Sequence, residues 1–103
     1  MSKLVRDEIP EIIKESGKLP IYHRAAPGEV EKLLEEKLGE ETEELLVAHT
    51  AESKLEEATD VLEVLLSILA GYGYTYKDLL AKAEAKRNER GSFIKGYVLD
   101  EVK

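Results

Sequence analysis

Cysteine and tryptophan are absent from this chain, which has only one phenylalanine, one methionine, two histidines and three prolines. Without cysteine there is no disulfide, no thiolate zinc site and no cysteine nucleophile. His23 and His49 lie far apart in sequence, so a histidine-based metal site is not expected. No signal peptide is visible and no apolar run is long enough to span a bilayer, so the expected setting is cytoplasmic, with no membrane partner. Positive charge is also scarce: 15 Lys+Arg against 22 Asp+Glu leave a net charge of −7. That balance speaks against a nucleic-acid polymer as partner. It does not speak against a nucleotide, because a bound divalent cation can invert the local field. There is no glycine-rich phosphate loop and no Ser/His/Asp constellation. An enzyme here would have to work through metal and carboxylates.

What is present fits one small globular unit. The 103 residues are 43% hydrophobic and 36% charged, which predicts a single domain over 1–103 with a modest core and a heavily charged surface. The pattern predicts a mainly all-α fold. Asp7 caps a short first helix that ends at Gly17. Residues 29–49 form a long helix whose apolar surface comes mostly from Leu33, Leu34, Leu38, Leu45 and Leu46, and Gly39 within it either permits a close approach or is an incidental surface glycine. Residues 50–53 connect it to a second long helix over 54–71, with Ser53 and Glu56 as a capping box. So short a link makes the two helices an antiparallel hairpin. A third helix over about 76–89 follows, opened by Thr75 and Asp78. The extended segment 21–25 is expected to pair with 93–99 as a short two-stranded β-ribbon. From Val61 to Ala70 the only polar residues are Glu63 and Ser67. One hairpin cannot cover so apolar a stretch, so the bundle is expected to be completed by the third helix and by a second copy, most simply in a homodimer.

The hairpin carries two acid pairs, Glu41-x-x-Glu44 and Glu57-x-x-Asp60. Residues three apart share a helix side, so each pair can aim two carboxylates at one point. On a helical wheel, Val30, Leu34, Leu38, Leu45 and Ala48 fall within roughly 60° of Glu41, and Val61, Val64 and Ile68 within about 40° of Glu57. Each helix therefore sets one acid in its apolar seam and a second at the edge. Buried carboxylates that converge repel one another and lose hydration. A divalent cation resolves both problems, and hard oxygen ligands suit Mg²⁺, Mn²⁺ or Ca²⁺. The antiparallel hairpin brings the pairs level, since one ends its helix and the other starts the next.

Cations are few enough to be informative. Lys86, Arg87 and Arg90 close the third helix, where they either complement its dipole or recognise phosphate. Lys3 and Arg6 precede the first helix and read first as surface charge. Tyr72, Tyr74 and Tyr76 suit core or interface packing better than stacking on a base.

Three stretches together carry a resemblance. KLGEETEELL (37–46) followed by EEATDVLEVLL (56–66) resembles the all-α NTP pyrophosphohydrolase superfamily of MazG-type proteins, whose hallmark is Glu-x-x-Glu, a spacer, then Glu-x-x-Asp. The spacer here, residues 45–56, is at the short end for the family. KLVRDEIPEII (3–13) and KRNERGSFIKGYVL (86–99) further resemble a compact subgroup labelled phosphoribosyl-ATP pyrophosphohydrolase-like or house-cleaning NTP pyrophosphatases. The resemblance implies hydrolysis of a phosphoric anhydride bond, NTP and water giving NMP and pyrophosphate. It implies that Glu41, Glu44, Glu57 and Asp60 hold Mg²⁺, or Mn²⁺ in its place, and that Glu41 or Glu44 helps deprotonate the attacking water. Lys86, Arg87 and Arg90, then Lys3 and Arg6, are the candidates for substrate phosphate. A non-standard nucleotide is the preferred substrate. Phosphoribosyl-ATP of histidine biosynthesis is the alternative, and a non-catalytic helical dimer that binds metal or nucleotide is the alternative of another class. Turnover separates these readings.

Overall fold

The computed structural model describes residues 2–103, and these are all-α. Four helices follow in order: α1 Ile9–Glu15, α2 Pro27–Val47, α3 Ala51–Ala70 and α4 Tyr76–Arg90. The chain divides into two compact units, Met1–Gly73 and Tyr74–Lys103.

In the first unit α2 and α3 pack as a hairpin. Pro27 starts α2, where its missing N–H would have no helical partner, and the Ala26 N–H donates to the Glu29 carboxylate at 2.8 Å. Residues 48–50 make the link. The cap of α3 is Thr50, whose hydroxyl accepts from the Ser53 N–H at 3.0 Å. Lys54, at the start of α3, donates from Nζ to the Leu45 and Leu46 carbonyls at 2.8 and 3.4 Å. Those carbonyls have no helical donor left, and a cation at this end also favours the α2 dipole. Leu34 of α2 and Val64 of α3 are the buried apolar residues among those described, and Val30, Leu38, Leu45, Val61 and Ile68 are half-buried. Full burial of one such side chain contributes about 2 kcal/mol. The wheel positions read from the sequence are thus the ones that face the hairpin seam.

In the second unit Thr75 and Asp78 cap α4 reciprocally: the Thr75 N–H donates to the Asp78 carboxylate at 2.8 Å and the Asp78 N–H to the Thr75 hydroxyl at 3.3 Å. Gly91 ends the helix with φ 83, a left-handed conformation that glycine adopts without steric cost.

Several expectations need correction. No strand forms among the described residues, and the ribbon of 21–25 with 93–99 is absent. Ile21 is 90% exposed and Phe93 99% exposed. Gly96, at φ 66, bonds its N–H back to the Phe93 carbonyl at 3.2 Å, a turn that interrupts the second segment. Two short strands alone would be marginal in any case. Ser53 is not the α3 cap, because the helix begins at Ala51 and Thr50 takes that role. Asp7 does not cap α1; Glu8 holds the position without a side-chain bond. Leu46 faces away from the seam. A Cβ on Gly39 would meet nothing within 4 Å, so that glycine is an open surface position within the chain. The apolar stretch Val61–Ala70 is not covered on most sides, since Leu62 and Leu65 remain exposed.

Candidate functional site

Glu41 is 8% exposed, the one buried charged residue among those described. It lies on the face of α2 that carries Leu34 and Leu38, so burying that face carries its carboxyl into the seam. Glu44 is one turn further, at the exposed edge. Glu57 enters from α3 on the side that carries Val61 and Val64. One carboxylate oxygen from each of Glu41, Glu44 and Glu57 lies within 4.8 Å of the others.

The electrostatics are strained. Burial pushes the Glu41 carboxyl above its ordinary value, and the neighbouring Glu44 carboxylate raises it further. Lys37, one turn earlier on α2, pulls it partly back through an ion pair at 3.4 Å from Nζ to Oε1. The same ammonium lies 3.5 Å from Glu40. Glu41 Oε2 and Glu57 Oε2 are buried and have no hydrogen-bond partner. Buried acceptors are almost always paired, so the two orphaned oxygens mark a place where a donor or a cation fits. Three carboxylates at this separation suit a hard divalent cation, which carboxylate oxygens ligate directly.

Asp60 stands outside this group. Its Oδ1 accepts from Arg6 Nη2 at 2.7 Å, with the two side chains 38% and 53% exposed. Asp60 also lines a shallow depression of about 340 Å³ along α3 with Glu52, Leu55, Glu56 and Thr59. Of the other candidates, Lys3 is exposed ahead of α1, and Lys86, Arg87 and Arg90 are exposed on the last turns of α4 in the second unit. Tyr72 is also exposed and donates its hydroxyl to Glu31; that bond and the Glu31 charge hold its pKa above the ordinary tyrosine value. His23 and His49 are exposed.

Two features of the site escaped sequence reasoning. Lys37 carried a signal in its i,i+4 spacing to Glu41. The Arg6–Asp60 pair carried none, because nothing local links residues so far apart in sequence.

The chain is similar to an uncharacterised protein of Mycolicibacterium smegmatis, with 43% identity over 56 residues, which are 54% of this chain and 57% of that protein. The chain thus spans little more than half the length of this relative. No family model matches the chain, and no solved structure matches it.

Proposed function

We propose that this chain is a Mg²⁺-dependent nucleoside triphosphate pyrophosphohydrolase that acts on non-standard nucleotides. The observation that carries the reading is the convergence of Glu41, Glu44 and Glu57 from two helices, with buried unpartnered oxygens on Glu41 and Glu57. Carboxylates driven into an apolar seam against their mutual repulsion favour a bound cation, and turnover separates an enzyme from a module that only binds metal or nucleotide. Glu41, Glu44 and Glu57 would hold the cation, with Asp60 one turn from Glu57 as a further ligand. When bound, Mg²⁺ supplies neutralisation of phosphate charge and a more acidic water.

The chain's own residues account for the rest. Glu41 or Glu44, side by side on one face of α2, is the candidate to take the proton of the attacking water. In the proposed reaction water attacks the α-phosphorus, its proton passes to a carboxylate, and the bond from the α-phosphorus to the bridging oxygen breaks. Pyrophosphate leaves and the monophosphate keeps the new oxygen. Helices hold the acids in place beforehand, so positioning and electrostatics lower the barrier, as is usual for phosphoryl chemistry.

A homodimer belongs to the same reading. Leu55, Ala58, Leu62, Leu65 and Leu69 follow a heptad a/d spacing on α3, and Leu55, Leu62 and Leu65 are exposed. A second copy of that stripe is the cover it suits.

The test is turnover of a panel of standard and modified NTPs with Mg²⁺ or Mn²⁺, with products separated by chromatography. Monophosphate and pyrophosphate are expected, lost in Glu41→Gln and Glu57→Gln. Diphosphate and phosphate would mean a different bond is cut. No turnover with any nucleotide, phosphoribosyl-ATP included, would overturn the enzymatic reading.

A further inference from the structure

The second acid pair does not close on the site as the first does, and its edge member Asp60 is paired with Arg6. Glu57 and Asp60 sit one turn apart on the same side of α3 and can both reach one point. Glu57 joins the carboxylate group, whereas Asp60 is held by the Arg6 guanidinium at 2.7 Å. The Arg6 carbonyl accepts the Ile9 N–H at 3.1 Å, which ties its backbone to the start of α1. Rotation of the exposed side chains is enough to part the pair. Both side chains are substantially exposed, and ion pairs of that kind hold weakly against a competitor. A divalent cation already ligated by neighbouring carboxylates is such a competitor. The depression beside Asp60 is lined by Glu52, Leu55, Glu56, Thr59 and Asp60, and its acidic residues repel phosphate. Arg6 is the cation that the structure brings to this wall, and a guanidinium fork matches a phosphate edge.

We propose that Arg6 is an exchangeable counter-ion: Asp60 trades it for the bound divalent cation, and the released guanidinium takes a phosphate oxygen of the nucleotide. This rests on the reading that the carboxylates hold a divalent cation. Arg6 thus keeps Asp60 neutralised before the cation arrives and turns to the polyphosphate afterwards. The two roles give its removal two effects of opposite sign. Without Arg6, Asp60 is free and Mn²⁺ alone binds more tightly. Without Arg6, the Mn²⁺-loaded protein also holds polyphosphate less well.

The experiment is calorimetric titration of the full chain with Mn²⁺, then of the Mn²⁺-loaded chain with inorganic triphosphate. Wild type is compared with Arg6→Gln, Arg6→Lys and Lys14→Gln. Lys14→Gln makes the same charge change at an α1 residue whose ammonium pairs with Glu11 and Tyr22. For Arg6→Gln the expected result is Mn²⁺ affinity raised about threefold to fivefold and triphosphate affinity lowered about tenfold. Arg6→Lys should keep Mn²⁺ affinity near wild type and recover only part of the triphosphate affinity, because an ammonium lacks the fork. Equal affinities in wild type and Arg6→Gln overturn the exchange and leave the cation site standing. So does a fall in both affinities, which describes a structural strut. An equal gain in Mn²⁺ affinity for Lys14→Gln reduces the effect to net charge and also overturns it. Absence of Mn²⁺ binding in every variant overturns the cation reading and this proposal with it.

Discussion

The two acid pairs of the hairpin have nearly the same chemistry and different surroundings. On α2, Glu41 and Glu44 both reach the carboxylate group; on α3, Glu57 reaches it and Asp60 pairs with Arg6. Spacing alone makes the pairs equivalent. The difference comes from what lies beside each edge residue. Glu44 has no cation against it among the described ion pairs, whereas Asp60 faces the chain entering α1. The acids also differ in depth: Glu41 lies on the side of Leu34 and is buried, and Asp60 is at a half-exposed edge. Burial leaves one carboxylate with an oxygen that has no partner, and exposure lets another be satisfied by an arginine.

That comparison can be broken at several points. The largest effect is expected from Glu41→Gln or Glu57→Gln. Each should lower Mn²⁺ affinity by more than roughly 100-fold, the upper end of what losing even an outer-sphere partner costs. Titration of metal against each variant checks this, and a variant that binds like wild type would remove the site. Leu34→Ala tests the seam that buries Glu41. It should cost about 2 to 3 kcal/mol in urea unfolding, and a smaller loss would mean that the hairpin seam closes around the deletion. Asp60→Asn should weaken Mn²⁺ binding less than Glu57→Gln, by about tenfold, the factor corresponding to 1.4 kcal/mol. Equal losses at both positions would make the pairs alike after all.

A smaller effect, of opposite sign, is expected at Gly39. The site is helical and its missing Cβ would point into open space. Gly39→Ala should therefore stabilise the chain by about 1 kcal/mol in the same urea experiment. Destabilisation would show that something outside this chain approaches there.

The smallest effect is the pH dependence of Glu41 in metal-free protein. Its folded pKa is raised by burial and by Glu44 above the ordinary 4.5. Within the window that opens at 4.5 and closes at the raised value, the folded state binds more protons than the unfolded state. Stability from this group therefore falls as pH rises through the window. Glu41→Gln lacks the titration, so it should gain on wild type as pH rises from 4.5 towards neutrality. A stability difference that is flat across those pH values would mean that the carboxyl is not strained.

Much of the hairpin was legible in the residues. Leu34, Glu41 and Val64 fall on the inward faces that the helical period assigns, and a link as short as the expected 50–53 (48–50 in the structure) leaves little choice but an antiparallel return. The Thr75–Asp78 cap was equally plain. Thr50 was missed in favour of Ser53 because both precede the apolar run and either hydroxyl can cap. The ribbon failed because alternation in 93–99 signals a strand only if a partner edge exists, and Gly96 turns the chain first. The Lys54 contact with the α2 carbonyls depends on the hairpin having already formed.

By itself the sequence determined the helices, their inward faces and the placing of acids in those faces, because period, capping and burial are local or nearly local. It also made carboxylate oxygens the expected ligands of any metal, since no thiol exists and the two histidines lie far apart in sequence. Tertiary structure alone decided which three carboxylates converge, which of their oxygens are left without a partner, and that Asp60 meets Arg6. Those outcomes depend on how two helices and the N-terminal chain meet in space, and on the desolvation that follows, and neither is a function of spacing along the chain.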